Sequence, residues 1–447
     1  MANHNIIILG GGISGLSAAY ALKDQKYLLL EAKERFGGRI VSIKDGPYQI
    51  EAGPNSMMLK SKRIWNMIQE LGIEEKIQWP DPKSKIRYIS KGEGMYPIGI
   101  QTLLNPLAGM AGLLRILSGG FSERGSDENL SVYDFFVRRF GQKVTENLVV
   151  PFVSGIYAGD AKKLLLAQAF PNLHLWDRQH KSLWSGILGT KKQPRIPKKG
   201  IVSFNGGMET LPKAIVARLN PEFLRSGVTV TEISCIDGGY RVKTSDGIYD
   251  CKKLILTLPP TQLASVLSGS EFLNLSRALQ NIYSPWLAVH HFAFPKNSTR
   301  DPRRGFGFLS TQNQGDRHIL GCLWPTSSFS DKAPHDQELF TVFTGGSLYP
   351  IRQNEDEDFQ KAQILKELNQ VLGLKAPPLW HRRIVWPEAI PQYDKNHCQF
   401  LKTYREENWE SRGLFMAGSF FGGISVPDCM ESGLRVAECV INAHLSS

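Results

Sequence analysis

A glycine-rich turn near the start of the chain has the residue types and the spacing needed to hold a pyrophosphate. Gly10, Gly12 and Gly15 follow the G-x-G-x-x-G pattern directly after the apolar run at residues 6–9. The first glycine permits a tight turn, the second lets the backbone approach a phosphate, and the third brings the following helix close to the strand. The N-terminus of that helix would present N–H groups and its dipole to an anion. These residues predict a dinucleotide-binding site.

A carboxylate stands where such a site requires one. Glu31 follows a second apolar run at residues 28–30, about twenty residues after the glycines, where an acid accepts hydrogen bonds from ribose hydroxyls. The strand, the turn, the helix, the second strand and the acid therefore favour dinucleotide binding over a merely structural glycine turn.

The sequence shows no other catalytic arrangement. We find no Ser-His-Asp or Cys-His pattern. His290 and His291 are adjacent but lack a partner at a recognised metal-ligand spacing, so we expect them to be structural and predict no metal site. The cysteines have no Cys-x-x-Cys spacing, which favours buried thiols in a reducing compartment; they are Cys235, Cys251, Cys322, Cys398, Cys429 and Cys439.

The elements that must position these residues follow from periodicity. Residues 6–9 and 28–31 are predicted parallel strands with a helix at 16–23 between them, and residues 57–80 read as a helix and connector. Residues 85–190 are predicted to be largely helical. Short strands at 228–230, 240–244 and 253–257 would then complete the nucleotide-binding sheet. Near the C-terminus, a buried strand at 413–418 enters a glycine turn and a helix at 427–433.

The predicted fold class is α/β plus α+β. A discontinuous Rossmann-like domain is expected over residues 1–84, 195–261 and 401–447, with a helical unit at 85–194 and a substrate-binding α+β unit at 262–400. The length of 447 residues suits two or three packed units.

The bulk composition limits the classes of binding partner that we expect for this chain. The net charge of +11 would favour anionic headgroups or an anionic substrate. Nucleic acid is not expected, because no binding module is evident.

No run reaches the roughly eighteen apolar residues of a membrane-spanning helix. Residues 98–117 could form a helical hairpin over a pocket, lie in a bilayer surface or be core helices, and residues 191–200 read as a basic, solvated connector. The first strand starts so close to Met1 that we expect no secretory signal.

Several further motifs carry a family resemblance. They are Gly37-Gly38-Arg39, the blocks at 51–56, 155–160, 204–208, 305–309 and 390–393, and the run from Ala417-Gly418 to Val426-Pro427-Asp428-Cys429. With the N-terminal turn, the chain resembles the oxygen-dependent protoporphyrinogen oxidases of the flavin amine oxidase superfamily from residue 6 to near residue 439. The resemblance implies FAD, since NAD enzymes are not expected to carry the Gly-Gly-Arg extension.

The resemblance also implies roles for individual residues. The FAD contacts would be Gly10, Gly11, Gly12, Ser14, Gly15, Glu31, Ala32, Arg39, Gly53, Pro54, Asn55, Ser56, Val230, Gly418, Ser419, Gly422, Gly423, Ile424 and Val426. Arg87 would hold a substrate propionate, and the residues against the macrocycle would be Phe306, Leu309, Leu320 and Phe343. Gly155 would place its backbone near the reacting edge. Two departures from the family pattern are the lack of Leu-Ser after Asp160 and the presence of Ser419.

The implied reaction is oxidation of protoporphyrinogen IX to protoporphyrin IX in haem synthesis. Hydride would pass to the flavin and then to dioxygen, giving hydrogen peroxide. The implied setting is cytoplasmic, with peripheral membrane contact and a homodimer among the expected states. Four alternatives stay open: a coproporphyrinogen oxidase, which extra cations around the pocket would favour, an amine oxidase, a carotenoid-type desaturase, and a non-catalytic FAD-stabilised scaffold.

Overall fold

The computed structural model describes residues 2–99, 107–118, 127–180, 196–300, 305–311 and 317–445. The strands, in chain order, are β1 (Ala2–Leu9), β2 (Tyr27–Leu30), β3 (Ser42–Asp45), β4 (Tyr48–Glu51), β5 (Met57–Leu59), β6 (Ile77–Gln78), β7 (Arg87–Lys91), β8 (Gly94–Ile98), β9 (Gly200–Phe204), β10 (Leu224–Arg225), β11 (Val230–Ile236), β12 (Gly239–Thr244), β13 (Ile248–Leu256), β14 (Leu287–Pro295), β15 (Gly307–Ser310), β16 (Gly321–Leu323), β17 (Gln337–Gly345), β18 (Trp380–Trp386) and β19 (Leu414–Met416).

The helices are, in the same order, α1 (Ile13–Ala21), α2 (Lys62–Glu70), α3 (Gly109–Leu117), α4 (Val132–Phe140), α5 (Gln142–Val144), α6 (Val150–Tyr157), α7 (Leu166–Ala169), α8 (Pro171–Gln179), α9 (Thr210–Val216), α10 (Pro260–Val266), α11 (Leu273–Gln280), α12 (Pro325–Ser328), α13 (Glu357–Leu372), α14 (Lys395–Glu406) and α15 (Val426–Leu445).

The first sheet is the predicted nucleotide-binding sheet. Its order is β10-β2-β1-β13-β12-β11, with β19 beside β13. Strand β1 pairs in parallel with β2 and β13, and β13 pairs in parallel with β19, whereas β11 and β12 are antiparallel additions. Residues 6–9 are fully buried because helices cover both faces, which explains their continuous apolar run. The prediction that late strands complete this sheet is confirmed.

Two helical layers enclose the first sheet. Helices α1, α2, α9 and α15 supply the core on one face, and α10, α11 and α14 supply the core on the other. The predicted division of the chain placed residues 262–400 in the second unit. The packing instead places α10, α11 and the start of α14 against the first sheet, because their apolar side chains share its core. The remaining domain boundaries stay a prediction.

The second sheet has the order β18-β14-β17-β16-β15-β7-β8. Only β15 and β7 pair in parallel; the other neighbours are antiparallel. The prediction of a largely helical segment from residue 85 is wrong at its start, because β7 and β8 form a hairpin that extends this sheet. Gly92 has a φ of +60° in the tight turn between them, a conformation that favours glycine. Helices α3 to α8 follow the hairpin.

Residues 57–80, predicted as a helix and connector, contain α2 between two short strands. Both strands, β5 and β6, pair with β9 in a separate three-stranded sheet. Of residues 98–117, predicted as a helical hairpin or core helices, the structure describes the end of β8 and helix α3, where Leu114 and Leu117 are more than half exposed; residues 100–106 lie outside the described residues. Residues 191–195, half of the basic segment 191–200, also lie outside them.

Across the described ranges, no helix is both long enough and apolar enough to cross a membrane. None of the six cysteines forms a disulfide bond, and Cys251, Cys322 and Cys429 are buried. His290 and His291 are fully buried on β14, as expected of structural histidines, and burial lowers the pKa of each to about 3. No cluster of metal-ligating side chains occurs in the part of the chain that the structure describes.

Candidate cofactor and substrate site

The N-terminal glycine turn has the geometry that its sequence predicts. Gly10 takes a φ of +102° at the end of β1. A side chain at Gly15 would overlap the carbonyl oxygen of Gly10, so only glycine lets α1 approach the strand so closely. Gly12 precedes the helix and gives it no side-chain cap. The first turn of α1 is therefore a suitable binding site for a phosphate.

The space beside Gly12 fits a pyrophosphate. Among the described residues beyond its chain neighbours, a Cβ on Gly12 would have one neighbour within 4 Å, the Cα of Gly38 at 3.9 Å. The Gly37 amide donates to the Gly11 carbonyl at 2.8 Å, which holds the second glycine pair beside the first. Glycines thus form a cradle whose open side would be filled by any side chain at position 12. Ser14 and Gly15 are buried behind it on α1.

Glu31 is fixed in the position expected of the ribose-binding acid. One carboxylate oxygen accepts the Gly11 amide at 2.7 Å, and the other accepts the Lys33 amide at 2.9 Å. The backbone carbonyl of Glu31 accepts the Val228 amide at 3.0 Å, which brings the segment leading to Val230 beside it. Ala32 is exposed at the same edge. The residues assigned to the adenosine end of FAD therefore lie together.

The N-terminal and C-terminal glycine turns meet. Strands β1, β13 and β19 run in parallel, so their carboxyl ends share one edge of the sheet. Gly418 follows β19 with a φ of +136°, and its amide donates to Ser432 Oγ at 3.3 Å. Helices α1 and α15 cross so closely that a side chain at Gly433 would overlap the Ser14 carbonyl. One cofactor can thus contact both turns.

A tyrosine and a histidine brace the C-terminal loop, and sequence reasoning missed this role. The Tyr393 hydroxyl donates to the Ser419 carbonyl at 2.6 Å and accepts the Gly423 amide at 2.9 Å. His397 Nε2 lies 2.8 Å from the Phe420 carbonyl and donates to it. The two rings stack with centroids 4.2 Å apart. Tyr393 belonged to a family block, but nothing local in the sequence indicates these contacts.

The rest of the predicted flavin-end loop lies around this brace. The Gly422 amide bonds to the Gly418 carbonyl at 3.2 Å, so the loop turns back on itself. Ile424 packs against the apolar cluster that contains Tyr157 and Tyr393. Val426 is the first residue of α15, which extends to Leu445 and is much longer than the helix predicted at 427–433.

Acid should destabilise this loop through His397. Burial lowers its pKa to about 4, and its Nδ1 has no hydrogen-bond partner among the described residues. Between this value and the ordinary 6.5, the unfolded chain binds more protons than the folded one. The free energy of unfolding should therefore fall as pH drops through that window, by about 2 kcal/mol at pH 5 from this residue.

We expect His397→Gln, which keeps a donor but does not titrate, to remove that share of the loss between pH 7 and pH 5. Denaturant unfolding of the flavin-loaded protein at the two pH values measures it. His335→Gln, at an exposed site, is the matched control. Its free energy of unfolding should change between pH 7 and pH 5 by the same amount as that of the parent protein. An unchanged pH dependence in His397→Gln would contradict the assignment.

Arg39 and the 51–56 block join the two sheets. The Arg39 guanidinium donates to the carbonyls of Glu388, at 2.6 Å, and Ala389. A side chain at Gly53 would overlap the Arg39 carbonyl, and Trp386 Nε1 donates to the Ala52 carbonyl at 2.7 Å. Arg39 was predicted to contact FAD; the structure shows it binding the backbone after β18. Its contact with FAD stays a prediction.

The other members of this block stand over a small cavity. Asn55 donates to the Gly53 carbonyl at 3.2 Å across Pro54. Asn55 and Ser56 line a cavity of about 20 Å³ together with Phe306, which is enough space for a single water molecule.

A buried acid and a lysine face this cavity, and nothing in the sequence indicates that they pair. Burial raises the pKa of Glu51 to about 7, although Lys332 and a hydrogen bond from Ser42 oppose the shift. Lys332 Nζ lies 3.6 Å from a Glu51 oxygen, and Ser42 Oγ lies 2.6 Å from the other. These residues are far apart in the chain, so only the folded structure reveals their contact.

Three of the four predicted macrocycle contacts, Leu309, Leu320 and Phe343, lie close together on the second sheet, whereas Phe306 lines the small cavity. Leu309 and Phe343 both pair with Gly321, on either side of it. Leu320 is buried beside Phe343 in a small apolar cluster. A side chain at Gly155 on α6 would overlap Leu309 Cδ2, so helix and sheet touch at this point.

Arg87 lies at the rim of the same face. It pairs with Gly307, while Ile89, two residues along β7, pairs with Leu309. Side chains two residues apart on a strand point to the same face. Arg87 is exposed, its guanidinium lies 5.4 Å from the centre of the Phe306 ring, and it donates to the Lys85 carbonyl at 3.3 Å. Its role toward substrate stays a prediction.

An apolar chamber of about 260 Å³ opens beside Leu309, between the second sheet and the helical unit. The sheet contributes Ile89, Ile98 and Leu309. The helical unit contributes Val132, Phe136, Leu148, Val149, Phe152, Val153, Phe170 and Leu173. Every lining residue is hydrophobic, so this chamber suits an apolar ligand surface.

The chain is similar to known flavin-containing oxidoreductases along almost its whole length. The family model described as flavin-containing amine oxidoreductase matches residues 13–441. The chain is 29% identical to the coproporphyrinogen III oxidase of Bacillus subtilis (strain 168), over 96% of both chains. It is 29% identical to the mitochondrial protoporphyrinogen oxidase of Nicotiana tabacum, over 98% of this chain and 94% of that protein. The Bos taurus protoporphyrinogen oxidase is 28% identical over 99% of both.

Solved structures share the fold. The structure of a proposed protoporphyrinogen oxidase from Exiguobacterium sp. 255-15 has a TM-score of 0.83 at 23% identity, covering 100% of this chain and 99% of that one. A UDP-galactopyranose mutase has a TM-score of 0.75 at 14% identity, covering 99% and 96%. These similarities confirm the predicted fold class, and they show that the fold alone does not fix the chemistry.

Proposed function

This chain belongs to the flavin-containing amine oxidoreductase family, and from that premise we propose that it oxidises protoporphyrinogen IX to protoporphyrin IX in haem synthesis. The observation that carries the proposal is the similarity to curated porphyrinogen oxidases over 96–99% of the chain. The family description confirms the predicted flavin and an oxidoreductase. The dinucleotide-binding geometry of the first sheet makes FAD the form that fits.

The residues that would hold FAD are those at the edge of the first sheet. The start of α1 and the cradle beside Gly12 suit the pyrophosphate, Glu31 suits the ribose, and the loop braced by Tyr393 suits the flavin end. When bound there, FAD supplies a two-electron acceptor that dioxygen can reoxidise. The protein itself orients this group and excludes water around it.

The substrate requires little acid-base chemistry from the protein. Loss of hydride from a porphyrinogen is driven by aromatisation of the macrocycle, so apolar walls and correct orientation are the main requirements. Leu309 and the chamber provide the walls. Arg87 provides a cation at the rim, where a guanidinium can bind a propionate through two parallel donors.

Coproporphyrinogen III is the second candidate substrate, and the Bacillus subtilis relative, which carries that name, favours it. Purified flavin-loaded protein should be incubated in air with each porphyrinogen while porphyrin fluorescence and peroxide are followed. Porphyrin from protoporphyrinogen would support the proposal, and porphyrin from neither macrocycle would overturn it. A flavin that stays oxidised with either substrate under nitrogen would instead favour a scaffold role.

Arg87→Ala should raise the KM for protoporphyrinogen about tenfold, because a charge-assisted hydrogen bond to the propionate is lost. Flavin retention should not change, since Arg87 is on β7 in the second sheet. Steady-state kinetics and the flavin-to-protein absorbance ratio test both statements. Arg87→Lys keeps the charge without the two-donor geometry, so its KM should lie between the KM of the parent protein and that of Arg87→Ala. Loss of flavin from Arg87→Ala would show that the residue does not serve the substrate.

We further propose dioxygen as the acceptor and a cytoplasmic setting with peripheral membrane contact. The exposed Leu114 and Leu117 on α3 support the contact, because an apolar helix face can lie in a bilayer surface. The six cysteines form no disulfide bond, which supports a reducing compartment. A homodimer is included as a proposal; sedimentation of the flavin-loaded protein tests it.

A further inference from the structure

We propose that the apolar chamber is a specificity site that takes the methyl and vinyl edge of a dicarboxylate porphyrinogen and rejects a propionate at that edge. The inference rests on the proposed function and deepens it, because it chooses between the two candidate substrates. Protoporphyrinogen IX carries its propionates on adjacent rings, so its opposite edge is wholly apolar. Coproporphyrinogen III has propionates at both edges.

The chamber has the size of an edge and not of a whole macrocycle. Its volume of about 260 Å³ is below the range of about 300–1,000 Å³ found for complete ligand pockets. It opens at Phe152, which is 45% exposed, and at Ile98, which is 42% exposed. Leu309, one of the predicted macrocycle contacts, lines the same chamber, so an apolar edge of the substrate that enters the chamber can contact it.

The charge distribution orients the substrate. None of the described residues that line the chamber is polar or charged. Arg87 stands on the same strand and face as Ile89, two positions away, or about 7 Å along the strand. One end of this surface can thus bind a carboxylate, while the other offers only hydrocarbon.

Lys91 is a further cation on this strand, and its contact lies outside the chamber. Its ammonium donates to Asn147 Oδ1 at 3.0 Å, and the Asn147 amide donates to the Leu107 carbonyl at 2.9 Å. Neither Lys91 nor Asn147 lines the chamber. A propionate buried there would therefore find no hydrogen-bond donor among the described side chains of the lining, which strongly disfavours its charged form.

The expected consequence is a ratio of kcat/KM values of at least about 100 in favour of protoporphyrinogen, because a buried carboxylate without a partner is excluded. Phe152→Arg places a cation at the mouth of the chamber and should lower this ratio at least about tenfold. The fold should tolerate the change because Phe152 is partly exposed. Leu175→Arg, at a 48% exposed site of α8 that does not line the chamber, is the matched control.

The experiment measures turnover of both porphyrinogens and equilibrium binding of both porphyrins by fluorescence, with flavin-loaded protein. A preference for the dicarboxylate that Phe152→Arg reduces and Leu175→Arg keeps would support the inference. Equal use of both substrates, or a ratio that Phe152→Arg leaves unchanged, would overturn it. If Phe152→Arg does not fold, Phe152→Gln replaces it with a smaller expected shift in the same direction.

The binding measurement separates this inference from the proposed function. Selective protoporphyrin binding that depends on Phe152, without turnover of either porphyrinogen, would leave the specificity site standing and reject the oxidase. Turnover of both porphyrinogens without selectivity would support the oxidase and reject the specificity site.

Discussion

Gly12→Ala should weaken FAD binding at least about 100-fold, or by about 3 kcal/mol, while the polypeptide folds normally. The described part of the chain has room for the added methyl group, since beyond the chain neighbours only the Gly38 Cα would lie within 4 Å, at 3.9 Å. The backbone at Gly12 also has an extended conformation that alanine adopts without strain. Only a cofactor in the cradle would clash with the methyl group, so the loss of affinity reports on that space.

The measurement is FAD titration of the apoprotein, together with its melting temperature. Gly200→Ala on β9 is the matched control, because its methyl would make only ordinary contact with Trp79 at 3.4 Å. This variant should keep the FAD affinity and the melting temperature of the parent protein. Gly15→Ala is a contrasting variant that should damage folding, since its methyl would overlap the Gly10 carbonyl. Parental FAD affinity in Gly12→Ala would show that the pyrophosphate lies elsewhere.

The cofactor half of the molecule is predictable because its signals are local. The apolar run at 6–9, the glycines after it and Glu31 occur within one βαβ unit, and the structure places them as the pattern requires. The same holds for Gly418 after β19. That the two turns meet could be inferred because both follow strands of one parallel sheet, whose carboxyl ends share an edge.

The second half is less predictable because its contacts are long-range. The β7–β8 hairpin was predicted as part of a helical segment, and its pairing with β15 joins residues more than two hundred positions apart. The bonds from Tyr393 to the loop at 419–423 and from Arg39 to Glu388 leave no periodic signal. Glu51 and Lys332 likewise meet only after β4 packs beside the segment that precedes β17.

The second large effect is expected where α6 touches the second sheet. Gly155→Ala should lower kcat/KM for protoporphyrinogen at least about tenfold, because its methyl would overlap Leu309 Cδ2 and displace that side chain within the predicted macrocycle contacts. The displaced atom is the end of a flexible side chain on a partly exposed residue. The free energy of unfolding should therefore change by no more than about 1 kcal/mol.

A double-mutant cycle separates this contact from general damage. Leu309→Ala removes the overlapping atoms, so the pair Gly155→Ala and Leu309→Ala should be less impaired than the product of the two single effects, with a coupling of about 1–2 kcal/mol. Flavin retention should equal that of the parent in all three variants, because neither residue belongs to the first sheet. Strictly additive effects on kcat/KM would mean that Gly155 acts through something other than Leu309, and a loss of flavin would place α6 against the cofactor instead of the substrate.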